Sequence, residues 1–349
     1  MRRRPARLRC GRLRCGRLCC GLAVLALAAG GPAAARTLAV GPGLEFAAPS
    51  GAARAAKDGD IVTIAPGNYF DCAIWSAGHL TIQAARPGVV ITDKTCAGKA
   101  AFVIDGNGVT VSGLTFQRIR VPDGNGAGIR AEGHDLTVRD SRFINNEVGI
   151  LDGVRGGSLV ITGSTFSANK GGSPEHPLPA VLAGGLDLLR IERSVFEPAR
   201  GGLHVVSSAL RTDLVDDRLS DDGGGMSGPL VSIAGGTVTL TGNTVDLGPG
   251  AADRPGAVLV FGDAAAITLR GNTLVEPTGA VPLLRNWTGI DVTADGNDVP
   301  ANAVAVSDAG SAYHRLRSRA AALRAAAWNA ARAARHQVAT LARMLKLLP

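Results

Sequence analysis

The sequence predicts an all-β solenoid of stacked parallel rungs, with a short helix near its start and an amphipathic helix at its end. Three observations carry this reading. First, a short apolar strand, a polar turn and one apolar anchor recur eight times. The anchors are Phe116, Phe143, Phe166, Phe196, Leu219, Val245, Leu274 and Val299, 23–30 residues apart. Self-similarity at that period marks stacked structural repeats. Second, a further strand lies beside each copy, among them "AFVIDG" (101–106), "AGIRAEG" (127–133), "VGILDG" (148–153) and "AVLVFG" (257–262). The strands are short and rich in Val, Ile, Leu and Thr, and no periodic stretch between them is long enough for a helix, which excludes helical and leucine-rich repeats. Third, the 349 residues include 47 glycines but only 8 Phe, 3 Trp and 2 Tyr. So few rings exclude a conventional large core. They predict a narrow aliphatic column in which each inward side chain stacks on its counterpart about 4.8 Å away, with no room for large rings.

The elements follow in order. Residues 1–35 hold eight arginines and no acid, then an apolar run from Leu18 to Ala29, then Ala33-Ala34-Ala35. This is the layout of a secretory signal peptide, and the run is shorter than the roughly 20 residues of a membrane span. The competing reading is a basic nucleic-acid arm. A signal would make the mature chain secreted or periplasmic. Cys72 and Cys96 are the cysteines outside this segment. An even pair in an exported chain reads as a disulfide, worth roughly 3 kcal/mol by chain entropy; two free thiols are the other reading, and a metal site lacks neighbouring histidines. Residues 36–310 form the solenoid domain. Residues 311–349 place Leu316, Ala320, Leu323, Ala327, Ala331, Ala334, Val338, Leu341, Leu345 and Leu348 at steps of three and four, a helical stripe. That tail either docks along the solenoid or lies on an anionic surface such as a membrane.

The net charge of +8 divides between these parts. Residues 1–35 and 311–349 each carry eight basic groups and no acid, leaving 37 − 16 = 21 basic against 29 acidic residues between them, a net −8. With no broad basic face on the body, nucleic acid is not an expected partner.

The rungs resemble the right-handed parallel β-helix of the pectin-lyase-like superfamily. The stretch "PSGAARAAKDGDIVTIAPGNYF" (49–70) is similar to the opening of many members. There a short helix, here Ala52–Lys57, caps the open end and leads into a first strand, here Ile61–Ile64, closed by Pro-Gly-x-Tyr. The stretch "VPDGNGAGIRAEG" with "SRFINNEVGIL" is similar to exported bacterial members. The resemblance covers about 49–300. It implies a fold and a cleft along the outer face of one long sheet, but no particular activity, because the superfamily includes lyases, hydrolases, epimerases and non-catalytic proteins.

Candidate residues fall into two groups. Asn243, Asn272 and Asn297 share one place in "GNTV", "GNTL" and "GNDV", with Asn145 and Asn169 near an equivalent turn. They read as an internal ladder satisfying backbone groups. Asp216 and Asp217 fall at the same turn, and this register argues against their being a catalytic pair. The second group lies on the strands that follow the anchors. Aligning them on Phe102, Ile129, Ile150, Val181, Leu203, Leu230, Val258 and Leu283 makes the next residue outward-facing. That column, from Val103 and Arg130 through His204 to Leu284, is polar early and apolar late. At the polar end Arg130, Glu132 and His134 are the catalytic candidates. Asp123, Asn125, Glu147 and His204 are the substrate-binding candidates, with Asp105 beside them. An acidic cluster with one arginine would suit Ca²⁺ and uronate chemistry, although lysine is scarce and "SPEHP" (173–177) matches the epimerase motif only loosely. Tyr69, Trp75 and Trp287 are the rings available for stacking on sugar. The expectation is a monomer interacting with an acidic polysaccharide. The alternatives are a uronate lyase or epimerase using the Arg130–Glu132 region, and a non-catalytic envelope-associated scaffold.

Overall fold

Each turn of the chain contributes strands to three faces, and every one of these strands pairs in parallel with its counterpart a turn away. The computed structural model describes residues 35–173, 176–198, 202–221, 228–248, 254–275 and 279–308. Within them the chain makes about 10 turns. The first face holds Leu136–Arg139, Ser158–Thr162, Leu188–Glu192 and Arg211–Val215. The second holds Leu114–Gln117, Arg142–Ile144, Thr165–Ser167, Val195–Phe196 and Arg218–Ser220. The third holds Ala100–Ile104, Ala127–Ala131, Val148–Asp152, Val181–Ala183 and Val205–Ser207. Residues 1–34, which hold nearly all of the expected signal peptide, and the expected tail helix 311–349 lie outside the described residues.

The helix is Pro49–Ala55, not Ala52–Lys57: Pro at its start presets the backbone, and Ala56 is already extended at ψ 143°. Its buried Ala52 and Ala53 face the first strands. A strand that the sequence reading missed, Thr37–Val40, pairs with Ile61–Ile64. Cys72 and Cys96 form a disulfide with Cα atoms 5.4 Å apart.

The corner between the first and second faces is two residues long in every turn from Asp140 onward. Its first residue has positive φ: Asp140, Gly163, Arg193, Asp216, Gly242, Gly271 and Gly296. That conformation suits glycine, which takes four of these seven positions. The second residue points inward and accepts a backbone N–H from the turn before. Thus Ser164 Oγ accepts from Ser141, Ser194 Oγ from Ser164, and Asp217 Oδ1 from Ser194. Asn243 Oδ1 then accepts from Asp217, Asn272 from Asn243, and Asn297 from Asn272. Each asparagine also donates Nδ2 to a carbonyl of the previous turn, Leu214, Leu240 or Leu269.

Asn169 belongs to a separate ladder at the corner between the second and third faces, and its neighbour there is Asn146, not Asn145. Asn146 Oδ1 accepts from Ile119 N, and Asn169 Oδ1 from Asn146 N. Asn145 takes the preceding left-handed position, φ 53°, so its side chain turns out and accepts from Arg120 Nη2. Replacing Asn146 by alanine would orphan the buried Ile119 N–H and Phe116 carbonyl, at an expected cost of about 2–4 kcal/mol. Asn145→Gly keeps the left-handed turn and should change stability by only about 0.5 kcal/mol. Urea denaturation of the two variants checks the contrast.

The core is not purely aliphatic. Trp75, Phe102, Phe116, Phe143, Phe166 and Phe196 form one continuous aromatic spine with centroids 4.7–5.4 Å apart, the last four rings nearly parallel. Glycines make room for it. A Cβ at Gly128 would lie 2.8 Å from Phe143 Cδ1, and one at Gly149 would lie 2.8 Å from Phe166 Cδ1. Below Phe196 the column narrows to Leu219, Val245 and Leu274.

Candidate functional site

The outward column of the third face reads Val103, Arg130, Leu151, Leu182, Val206, Ser232, Leu259, Arg285 and Ser307. The alignment expected from sequence fails at Leu203, Leu230 and Leu283, because the inward residues there are Val205, Val231 and Leu284. The chain bends just before each strand, so two consecutive residues point inward and strict alternation breaks. His204 sits at this bend, in the position that Gly128, Gly149 and Ala180 hold in earlier turns. It is fully buried, its ring 5.4 Å from Phe196, with Nε2 2.8 Å from the Ser220 carbonyl. Burial lowers its pKa to about 4, so it is a neutral core residue and not a substrate contact.

The remaining candidates separate into two places. Glu147, Asp123 and Asn125 lie at the start of the third-face strands. Glu147 Oε2 accepts the amides of Val121 and Gly126, closing the 121–126 loop. That loop is stitched to the hairpin Gly171–Ser173/His176–Leu178 by Gly172 N donating to Gly124 O. Leu178 and Leu182 pack on an outer cluster of Ala100, Val103, Ala127, Val148 and Leu151. Arg130, Glu132, His134 and Asp105 belong to the far end, a strand of roughly 13 Å away. Asp123 and Glu147 therefore do not converge with Glu132, and among the described residues no three His, Cys, Asp or Glu side chains gather as a metal ion would require.

At the far end Lys99 Nζ lies 2.6 Å from Glu132 Oε1, and Arg130 Nε lies 3.7 Å from the same oxygen. Lys99 leaves the chain at the start of one strand and meets Glu132 past the end of the next, so its stem runs along the face. Its backbone is fixed by the disulfide loop: Lys99 N donates to Cys96 O, and Ala127 N donates to Lys99 O. Asp105 occupies Glu132's position one turn earlier. Burial raises its pKa, and Glu132 raises it further, while Lys99 opposes both. The site thus holds two carboxylates and two cations on one partly exposed face.

His134 lies beyond, exposed, its amide donating to Asn107 Oδ1 and its Nδ1 3.3 Å from Gly156 O. Beneath the face, Asp152 points inward with Oδ1 accepting from Val154 N. Burial pushes its carboxyl up to about 7 against the pull of Arg130 and His134. Sequence reasoning did not select Lys99 or Asp152. The signal available for Lys99 was its place three residues from a disulfide cysteine. Of the rings, Tyr69 and Trp75 are buried and cannot stack on a sugar; Trp287 is half-buried.

The chain has the parallel β-helix fold. Its structure is similar to pectin methylesterase from carrot, with a TM-score of 0.51 and 9% identity over 80% of this chain and 90% of that one. It also aligns with an alginate lyase from Paenibacillus sp. str. FPU-7 at a TM-score of 0.43 and 16% identity, over 77% of this chain and 97% of the lyase. No protein-family model and no curated protein sequence matches it.

Proposed function

We propose that this chain binds an acidic polysaccharide on the outer third face, with Lys99 and Arg130 exchanging Glu132 for a uronate carboxylate. The observation that carries this reading is the convergence of both cations on one oxygen of the partly exposed Glu132 carboxylate. Arginine and lysine recognise carboxylates by charge-assisted hydrogen bonds, and the structural neighbour at a TM-score of 0.51 is a pectin methylesterase. Calorimetry with alginate, pectate and glycosaminoglycan oligomers, with and without Ca²⁺, tests it. K99A and R130A should each weaken binding about tenfold, a loss near 1.4 kcal/mol, while E132Q should strengthen it by removing the competing anion. Binding unchanged in R130A would overturn the reading.

A second reading, a uronate lyase or epimerase, is favoured by Asp105, which lies in Glu132's position one turn earlier and whose carboxyl is raised by burial above the ordinary carboxylate range, as a proton-transfer role would need. Absence of both an unsaturated product and a change in uronate stereochemistry on all three substrates would sink it. The disulfide supports an exported, secreted or periplasmic location after removal of residues 1–35. Unbroken parallel pairing supports treating 36–310 as one domain of right-handed coil. We assign Pro49–Ala55 the role of capping the first turn.

A further inference from the structure

Among the described residues nothing pairs beyond the last turn of the solenoid. Val292, Ala294, Asn297, Val299 and Val306 take its inward positions, beneath Ile267, Leu269, Asn272, Leu274 and Leu284. The upper five are at most 3% exposed. The lower five have lost that cover: Ala294 is exposed and the others are half-buried, while neighbouring Val304 is 51% exposed. Among the described residues the strands Val292–Asp295 and Val306–Asp308 pair on one side only, the kind of edge that folded proteins cover. Repeat arrays need such an end closed. The rim is also uniform in charge. Asp291, Asp295, Asp298 and Asp308 are exposed, and no lysine or arginine occurs from 287 to 308.

The chain itself supplies a complement. Immediately beyond Asp308, residues 311–328 carry Leu316, Ala320, Leu323 and Ala327 at helical spacing, with Arg315, Arg317, Arg319 and Arg324 and no acid. One face of five strand residues is about 17 Å long, which about 11–12 helical residues span. The outer third face offers a poorer seat, because its column is broken by Ser232, Arg285 and Ser307.

We propose that residues 311–328 fold back as a helix over the open end of the solenoid. The apolar stripe would cover Val292, Ala294, Val299, Val304 and Val306, and the arginines would meet the four rim aspartates. The inference is independent of the polysaccharide site.

Amide hydrogen exchange on the full chain tests it. L316D/L323D should speed exchange in Val292–Asp295 and Val306–Asp308 at least about tenfold, the population change expected when about 1.4 kcal/mol of cover is lost. Ala127–Ala131 should be unchanged and serves as the control for folding. R315E/R317E/R319E should have a similar, smaller effect. Independently of any variant, raising salt from about 0.1 to about 1 M shortens the screening length from roughly 10 to 3 Å and should speed exchange at the two end strands alone. Equal exchange in wild type and L316D/L323D, or no response to salt, overturns the proposal. So does protection that grows with protein concentration, which would mean that a second copy covers the end. End strands that become protected only when phosphatidylglycerol vesicles are added would assign the cover to a membrane, which also overturns it.

Discussion

Asp217→Asn is expected to stabilise the protein by about 2–4 kcal/mol near pH 8 and to flatten its stability between about pH 4 and pH 7. Asp217 occupies a ladder position whose next three members are asparagines. Those asparagines each accept a backbone N–H of the preceding turn and donate Nδ2 to a carbonyl there. Asp217 Oδ1 accepts from Ser194 N, but Oδ2 is buried with no hydrogen-bond partner among the described residues. The carbonyl it would serve by analogy is Ile191's, because Ile191 aligns with Leu214, which receives the Asn243 donor. A carboxylate has no proton to give there. Burial raises its pKa from 3.8 to about 7, with the nearby charges of Asp216 and Glu192 adding to the rise.

The direction with pH follows. Below about pH 4 both folded and unfolded chains hold the proton, so the raised pKa costs nothing. As pH rises toward 7 the unfolded chain releases it and the folded chain does not, and stability falls by up to about 4 kcal/mol. Asp152, also raised to about 7 by burial, acts in the same direction over the same window. Asparagine at 217 removes the charge and supplies the missing donor. Urea midpoints at about pH 5 and about pH 8 measure the effect; a variant as pH-sensitive as the wild type would show that Asp217 is ionised at little cost.

Phe166→Ala should cost about 4–5 kcal/mol, the upper end of the range for a buried ring. Phe166 is 1% exposed and lies between Phe143 at 4.9 Å and Phe196 at 4.7 Å, stacked on both. Its removal strips one face from each neighbour. Collapse is hard because the parallel ladders on the second face hold the turns in place. Phe166→Leu should cost only about 1–2 kcal/mol, since leucine fills the equivalent position at Leu219. Chemical denaturation of the pair tests this; similar costs for both variants would mean that ring stacking adds nothing beyond volume.

The second-face anchors could be aligned from the sequence because the preceding corner keeps one length, so Phe143, Phe166 and Phe196 fall in register despite unequal repeats. The third face could not be aligned the same way. The corner before it varies from the short run at 145–147 to the looped 118–126, and its inward bend breaks alternation. His204 was misplaced for that reason. Glu147 was legible as an acid near the site but not as a loop clasp, since its partners are backbone amides. Lys99 was not legible because Glu132 lies 33 residues away and the contact depends on a side chain laid along the strand.

The two-residue corner also bears on how such a chain changes over time. Because it keeps the beat of the coil, the length differences between turns fall elsewhere, chiefly at the corner that carries the 121–126 loop and the 171–178 hairpin. Those segments can lengthen, shrink or be exchanged while the ladder beneath keeps its register. Grafting new loops at that corner is thus the natural route to altering what the third face recognises, by descent or by engineering.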